Sequence, residues 1–304
     1  MIAQTRAGID LYGRVMRYAE VEQYNGSYRL LRLGSCDFEF EAGRDIFDAD
    51  RPAHLDTIAE AVADVFGGTV ATELRVAIHP PVGQAFFSPC AVSLTPAACR
   101  QQLEREAVLL SGQDPAAFSL ATDPVREEAL PDGETVQWYQ TLVLPRTVSD
   151  RIGEVSRVLQ VALHRPMTSM QGVAQVLTCL ARRQPQPPGR PLTLALGWYP
   201  ARVEVVVCRG HSWVTSLALP GGPAADVLFA TVMLLHRLQI DPGDVGQVYV
   251  YGIGIQPDAF DLFERAFGAP PEKLNAVPVV NLDPASLAVN FDVEAYAPCI
   301  GICL

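Results

Sequence analysis

Lysine is nearly absent from this 304-residue sequence. Of its 23 lysine and arginine residues, Lys273 is the one lysine. A P-loop needs a lysine at the end of a glycine-rich turn, and a protein kinase needs one on a strand beside its own glycine-rich loop. Because Lys273 stands in neither setting, the sequence excludes both of these nucleotide-binding classes.

Basic clusters and long apolar runs are missing as well. The formal net charge is −11, which excludes binding of nucleic acid through its phosphates. No run approaches the roughly 18 apolar residues that a membrane span needs, and no signal segment opens the chain. A hydrophobic content of 49% is enough for a substantial core. We therefore expect a cytoplasmic globular protein, which a partner would have to hold at a membrane.

Patterns that carry metal or covalent chemistry are incomplete. The seven cysteines form no CxxC pair, which favours free thiols in a reducing compartment over a zinc site or a disulfide framework. Residues 210–214 lack the closing glycine of a hydrolase nucleophile elbow, and no histidine spacing brings two imidazoles to one metal. Residues 252–257 have Pro257 in place of the third glycine of a dinucleotide fingerprint. The sequence therefore predicts no catalytic residues and no metal ligands.

What the sequence does contain is two similar sets of alternating strands. Between residues 191 and 222, three alternating apolar runs are separated by glycine and proline, which is the pattern of antiparallel strands joined by hairpins. Residues 197–200 are predicted to form the first turn of this set. The N-terminus follows the same plan, with a turn at 12–14 and a hairpin signal at Asn25-Gly26. A β-meander therefore begins each half of an α/β protein.

Further elements fill the rest of each half. A short strand at 74–78 ends at His79, which we interpret as a strand-end residue rather than a ligand. Residues 82–145 are predicted to form a small inserted subdomain, and residues 147–164 one long helix. The prolines and glutamines of 184–189 break regular structure. We therefore predict a first domain over residues 1–185, a second over 186–285 and a C-terminal segment over 286–304.

Four stretches carry a family resemblance through their order and spacing. They are GIDLYGRVMRYAEV at 8–21, LTP and LEREA within 94–107, YVYG with the helix after it at 249–268, and APCIGICL at 297–304. Together they resemble the PilM family, the actin-like proteins of the type IV pilus inner-membrane platform, and more distantly the FtsA family. The resemblance implies a two-domain actin-like (ASKHA) α/β fold, with two duplicated meander-and-helix halves and the inserted subdomain in the first. It also implies that the C-terminal segment returns to the first domain.

The resemblance marks the opening hairpin as the first of three nucleotide-binding turns. Asp10 is kept, and Arg17 stands in the position of the family's lysine. The small serine run of the family is replaced by residues 12–15, where Tyr12 would crowd a phosphate and Arg14 could offer it a charge. The implied nucleotide contacts in this hairpin are therefore Asp10, Arg14 and Arg17.

The other two turns also depart from the family pattern. In the second hairpin, Trp198 and Tyr199 stand where the family has a carboxylate that orders Mg²⁺ and water. In the adenosine-side turn, Gly252 and Gly254 remain but Ile253 replaces a glycine. Because metal-dependent ATP hydrolysis needs such a carboxylate and small phosphate turns, we expect a degenerate site, no ATPase activity and no required cofactor.

A protein partner is the second implication of the resemblance. In PilM-like proteins, the cytoplasmic N-terminal peptide of the membrane-anchored PilN docks between the first domain and its inserted subdomain. Carried over to this sequence, the partner-binding candidates are Phe86, Phe87, Leu103 and Leu110. Phe86 and Phe87 could equally fill the core of the subdomain. The implied protein is a cytoplasmic scaffold, peripheral to the inner membrane and in contact with other components of the pilus platform.

Two alternatives stay open. One is an ATP-binding or weakly hydrolysing actin-like ATPase with unusual site residues, in which Asp10 would serve Mg-ATP. The other is a relative that works in a competence or type II secretion machine rather than in a pilus. The sequence does not distinguish these machines from the pilus platform.

Overall fold

The structure, a computed structural model, describes residues 3–48, 50–131, 133–161, 163–183, 189–282 and 291–304, without the side chain of Leu163. These residues divide into two compact units. One comprises Met1–Asn25, Leu31–Ser169 and Cys303, and the other Gly26–Leu30, Met170–Ile302 and Leu304. The domain border predicted at residue 185 lies outside the described residues, as does the start of the predicted C-terminal segment.

The elements up to residue 168 form two sheets and four helices within the described residues. Their bounds are β1 (Gln4–Tyr12), β2 (Val15–Tyr24), β3 (Ser27–Asp37), α1 (Ala42–Phe47), α2 (Leu55–Val65), β4 (Glu73–Ile78), β5 (Gln84–Ala91), α3 (Pro96–Ser111), β6 (Phe118–Ala129), β7 (Thr135–Pro145), α4 (Arg146–Arg157) and β8 (Leu163–Thr168).

The elements after residue 168 form one further sheet with helices. Their bounds are α5 (Ser169–Arg183), β9 (Leu192–Tyr199), β10 (Arg202–Arg209), β11 (Ser212–Pro220), α6 (Ala224–Arg237), β12 (Val245–Gly252), α7 (Pro257–Phe267), β13 (Pro271–Lys273) and α8 (Ala297–Ile302), with a 3₁₀ turn at Val293–Tyr296. The ammonium of Lys273 pairs with the carboxylate of Glu294 in that turn.

The two five-stranded sheets have the same topology. The first runs β3-β2-β1-β4-β8 and the second β11-β10-β9-β12-β13. In each, an antiparallel meander supplies the first three strands, and the last two run parallel to the central strand. Parallel neighbours need a helical crossover, which α2 provides in the first sheet and α6 in the second. The predicted duplication of a meander-and-helix half is therefore confirmed.

The inserted subdomain is a three-stranded sheet, β5-β7-β6, with helix α3 packed on it. Thr95 begins α3 by accepting a hydrogen bond from the N–H of Ala98, and Gly112 ends it in the left-handed conformation at φ +65°. Cys99, Leu103 and Ala107 recur at four-residue intervals and are buried. This stripe is the face that holds α3 on its sheet.

One sequence prediction in this region is wrong in its second half. The helix expected over 147–164 ends at Arg157, and Leu163–Thr168 is strand β8, paired in parallel with β4. Gln160, in the left-handed region at φ +53°, lies in the turn between them. The run LHRPMT shows no alternation, so pairing with β4 rather than local pattern makes it a strand.

Candidate functional site

The opening hairpin turns at Gly13 and Arg14, as predicted. Tyr12 and Val15 are register partners on either side, and Gly13 has φ +62°, which favours glycine. The segment before α1 lies on this turn. The N–H of Phe38 donates to the Arg14 carbonyl over 2.8 Å, and the N–H of Gly43 donates to the Gly13 carbonyl over 2.9 Å. The turn is therefore held from outside by backbone hydrogen bonds.

The same segment places a carboxylate beside the turn. Glu41 Oε1 lies 3.6 Å from Arg14 Nε, and both side chains are more than half exposed. An exposed pair of this kind contributes little stability. The pair does have a local electrostatic effect. The negative charge of Glu41 offsets the positive charge that Arg14 would offer to a phosphate.

Asp10, near the end of β1, is engaged by a histidine. Its Oδ1 lies 2.6 Å from Nε2 of His79, and both side chains are at most 3% exposed. The ring of Tyr12 packs edge-on against the His79 ring, with centroids 5.5 Å apart. Arg17, half-buried on β2, is the register partner of Asp10. The structure thus brings Asp10 and Arg17 together, and adds His79, which the sequence analysis interpreted only as a strand end.

The second hairpin turns later than predicted. Gly197, Trp198 and Tyr199 are all within β9, and the turn is Pro200-Ala201, since Tyr199 and Arg202 are register partners. Alternation along a strand sends neighbouring side chains to opposite faces. Trp198 is buried in the apolar core against the ring of Phe263, with centroids 6.1 Å apart. The aromatic residues are therefore packing residues of a strand, not residues of a turn.

Gly252 and Gly254 lie where β12 ends, close to the backbone of β9. The N–H groups of Ile253 and Gly254 both donate to the carbonyl of Trp198, over 3.0 and 3.1 Å. Gly252 has φ +98°, and a Cβ there would overlap the Trp198 backbone. Gly252 thus allows two strands to approach closely, and two of the N–H groups of the turn are used within the protein.

A buried polar network crosses the second sheet at Gly197. Tyr251 on β12 and Glu204 on β10 are both register partners of Gly197, which lies between them. Tyr251 Oη donates to Glu204 Oε2 over 2.9 Å, and Glu204 also lies 3.3 Å from Nε of Arg202. Glu204 and Tyr251 are completely buried. The sequence analysis missed this network, although Glu204 within a run of alternating valines was a signal of it.

The partner-binding candidates fall into two groups in the inserted subdomain. Leu103 is buried in the subdomain core, and Phe86 is half-buried against Phe118 and Ala107. Phe87 is also half-buried. Leu110 is 58% exposed, on the outward side of α3. Leu110 is therefore the one of the four that presents most of its surface.

A groove lies along α3, next to these candidates. It has a volume of about 780 Å³, and its walls are α3, the start of β6 and the first residue of α4. Its apolar lining includes Val108, Leu109, Phe118 and Leu120. Leu109 is 81% exposed. Its charged lining residues are Glu104, Arg105 and Arg146.

Arg146 fixes one wall of this groove. Its Nε donates to the carbonyl of Ala116 over 2.8 Å, and its Nη2 donates to the carbonyl of Phe118 over 2.9 Å. The guanidinium thereby ties the beginning of α4 to the chain that enters β6. These two hydrogen bonds hold that wall in position, and the apolar lining of the groove suits a ligand that brings apolar side chains.

Burial lowers the reactivity of cysteine side chains elsewhere in the structure. All seven cysteines are free thiols, and burial raises the pKa of Cys90 and of Cys303 to about 12. Because the thiolate is the nucleophile, both are poor nucleophiles at neutral pH. In the part of the chain that the structure describes, no cluster of three or more histidine, cysteine or acidic side chains could hold a metal ion. None of the described helices is long and apolar enough to cross a membrane.

Comparison with known proteins identifies the fold of this chain through structural similarity and not through sequence. No protein-family model and no curated protein sequence matches this chain. A chain of a PilM–PilN type IV pilus biogenesis complex matches with a TM-score of 0.71 at 15% identity, covering 98% of this chain and 97% of that one. A Bacteroides thetaiotaomicron protein of unknown function with an actin-like ATPase fold gives 0.52 at 9% identity, covering 97% and 96%. The expected fold is confirmed: this chain has the two-domain actin-like α/β fold.

Proposed function

We propose that this protein is a cytoplasmic actin-like scaffold of a type IV pilus or related secretion platform. It binds the cytoplasmic N-terminal peptide of a PilN-like membrane protein, contacts other platform components, and is peripheral to the inner membrane through that partner. The observation that carries the proposal is the groove along α3, because its lining is largely apolar and includes the exposed side chain of Leu109. The similarity to a chain of a PilM–PilN complex supports the choice of partner.

The lining of the groove suits a short peptide. Leu109, Val108 and Leu120 can bury apolar side chains, while Glu104 and Arg105 can orient polar groups at its edge. A groove that takes a few apolar anchors from one segment is a common recognition mode. Leu110, the candidate that the resemblance implied, lies on the same helix but outside the lining residues, so Leu109 is the proposed contact.

The nucleotide turns support a scaffold rather than an ATPase. Asp10 is paired with His79, Glu41 lies beside the turn of the opening hairpin, and two N–H groups of the glycine turn donate to Trp198. An Mg-ATP site needs a carboxylate free to order the metal's water, and a turn whose surroundings favour phosphate. The residues present do not fit Mg-ATP.

Peptide binding tests the proposal. A fluorescent peptide with the N-terminal sequence of the PilN-like protein from the same organism is titrated with the chain, and anisotropy is recorded. Leu109→Glu places a charge in the apolar groove, so we expect the Kd of this variant for the peptide to rise by about tenfold or more. Leu110→Glu, the adjacent exposed leucine, and Val70→Glu, an exposed valine of the same unit, are matched controls.

The three variants separate the possible outcomes. Weakening by Leu109→Glu alone supports the groove. Weakening by Leu110→Glu alone would move the peptide to Leu110, on the outward side of α3. Equal binding by all proteins, or no binding by the unsubstituted chain, would contradict the proposal.

The second candidate function is an actin-like ATPase with unusual site residues, working in a type IV pilus platform or in a competence machine. Retention of Asp10 at the end of β1 and exposure of Arg14 favour it. Thermal unfolding with millimolar ATP and Mg²⁺ tests it. A ligand at about 100 times its Kd adds about 2.7 kcal/mol of stability, which raises the melting temperature by several degrees. We expect no shift. A shift that Asp10→Ala abolishes would establish the ATPase-type site instead.

A further inference from the structure

Helix α6 exposes apolar residues over most of its length. Between Asp226 and His236, the nine residues VLFATVMLL include no charged side chain. One face packs into the core of the second sheet through Val227 and Leu235. On the opposite side, Phe229 is 68% exposed and Met233 43%. A helix that is apolar on all sides is ordinarily buried on all sides, and among the described residues nothing covers this face.

The charges of α6 are at its ends and have opposite signs. Asp226 lies in the first turn, and His236 and Arg237 lie in the last turn. All three side chains are exposed. The one hydroxyl in the apolar stretch, Thr231 Oγ1, is buried and donates to the Val227 carbonyl over 2.7 Å, so it adds no polarity to the exposed face. The face is therefore apolar in the middle, acidic at one end and basic at the other.

This pattern is complementary to itself when a second copy runs antiparallel. With the two-fold axis level with residue 231, Phe229 of one copy lies against Met233 of the other, and Asp226 lies against His236 and Arg237. Two-fold interfaces require this reciprocity, in which residue i contacts j and j contacts i. Aromatic rings and methionine sulfur make favourable contacts, and the two charged ends would supply opposite-charge pairs twice over.

We propose that α6 is the contact surface of a homodimer, formed by antiparallel pairing of α6 with α6 of a second copy. A lipid surface fits less well, because membrane-binding helices carry several basic residues along their polar face and this chain has a net charge of −11. The pairing is weak and reversible. A helix of 14 residues is about 21 Å long, and one such pair buries less than the ~1,600 Å² of a standard interface.

Sedimentation velocity of the full chain from about 1 to 200 μM tests this, since micromolar Kd values are expected of small interfaces. We expect a monomer–dimer equilibrium. Phe229→Glu raises the dimer Kd by about tenfold or more, because it buries charge at the centre of the contact. Val70→Glu, with a similarly exposed valine in the other unit, leaves the Kd unchanged.

A charge swap identifies the occupant and the direction of pairing. Asp226→Arg places like charges together and weakens the dimer. Adding His236→Glu and Arg237→Glu restores the opposite signs and returns the Kd toward that of the unsubstituted chain. Asp226 is exposed, so these variants keep the test decisive even if Phe229→Glu fails to fold.

Three results would overturn the proposal. They are a chain that stays monomeric at every concentration, a dimer that is insensitive to Phe229→Glu, and a dimer that the triple charge swap does not restore. The first would leave the α6 face for a different protein, and the last would exclude antiparallel pairing of two copies.

Discussion

At the residue scale, Gly197, which precedes Trp198 and Tyr199, makes room for a tyrosine ring from the neighbouring strand. Its missing side chain leaves room for the ring of Tyr251, which a Cβ at 197 would overlap. The phenol thereby reaches from β12 across β9 to Glu204 on β10. A buried carboxylate is tolerated because it is hydrogen-bonded and paired, here by Tyr251 and Arg202.

Removing the phenol hydroxyl tests this role. Tyr251→Phe leaves Glu204 buried with one donor fewer, so we expect the free energy of unfolding to fall by about 1–3 kcal/mol. Urea unfolding followed by circular dichroism at pH 8 measures the change. Tyr24→Phe, which alters a tyrosine that is 54% exposed, is the matched control and should change the midpoint little. Equal effects of the two variants would contradict the prediction.

The same hydroxyl should impose a pH dependence. Burial, and next the Glu204 charge, raise the pKa of Tyr251 well above its ordinary value. Above about pH 10 the unfolded chain releases this proton while the folded protein keeps it, so stability falls as the pH rises. Below that pH the group contributes no slope. We therefore expect the stability difference between unsubstituted chain and Tyr251→Phe to shrink above about pH 10. If the curves of stability against pH for the two proteins stay parallel up to the alkaline limit of folding, the prediction is wrong.

At the element scale, the pair of Asp10 and His79 joins strand β1 to the end of β4. Both side chains are buried, so His79→Ala strands a carboxylate in the core. Removing the partner of a buried, hydrogen-bonded carboxylate costs about 1–3 kcal/mol. Urea unfolding should show this loss, and Asp10→Asn added to His79→Ala should recover part of it, because an amide is cheaper to bury than a carboxylate.

His211→Ala is the control for the Asp10–His79 pair. His211 is an exposed residue of the turn between β10 and β11, so its removal should change stability by less than about 0.5 kcal/mol. A loss in His79→Ala no larger than in His211→Ala would mean that Asp10 finds another partner. No recovery on adding Asp10→Asn would mean that the histidine ring, rather than its charge or hydrogen bond, is what the site needs.

Elements with a strong local pattern were predictable from the sequence, and contacts that depend on register were not. The alternating valines of β10 and the turn at Gly13 are read directly from residue order. β8 has no such pattern, and the engagement of Asp10 by His79 depends on the parallel register of β1 with β4. The burial of Leu103 was predictable, since Cys99, Leu103 and Ala107 recur every fourth residue.

At the scale of the whole molecule, a duplicated fold carries two differently modified hairpins. The first turns at Gly13 with Glu41 beside it, and the second turns at Pro200 with Trp198 in the core. The topology of the two sheets is nonetheless the same. An interior that tolerates such changes depends on the spacing of apolar residues more than on the residues of the turns. The same sheet topology is therefore compatible with two different hairpin turns.

The pairing of Lys273 with Glu294 has a practical consequence for chemical labelling. Lys273 carries the one ε-amine of the chain, and its side chain is 59% exposed. Its hydrogen bond to Glu294 raises the pKa of the amine, so a smaller fraction is deprotonated and acylation at neutral pH is slower. Besides the α-amino group at the N-terminus, an amine-reactive dye would thus mark a single side chain, on strand β13. Both proposed assemblies could then be followed by fluorescence with no substitution in the protein.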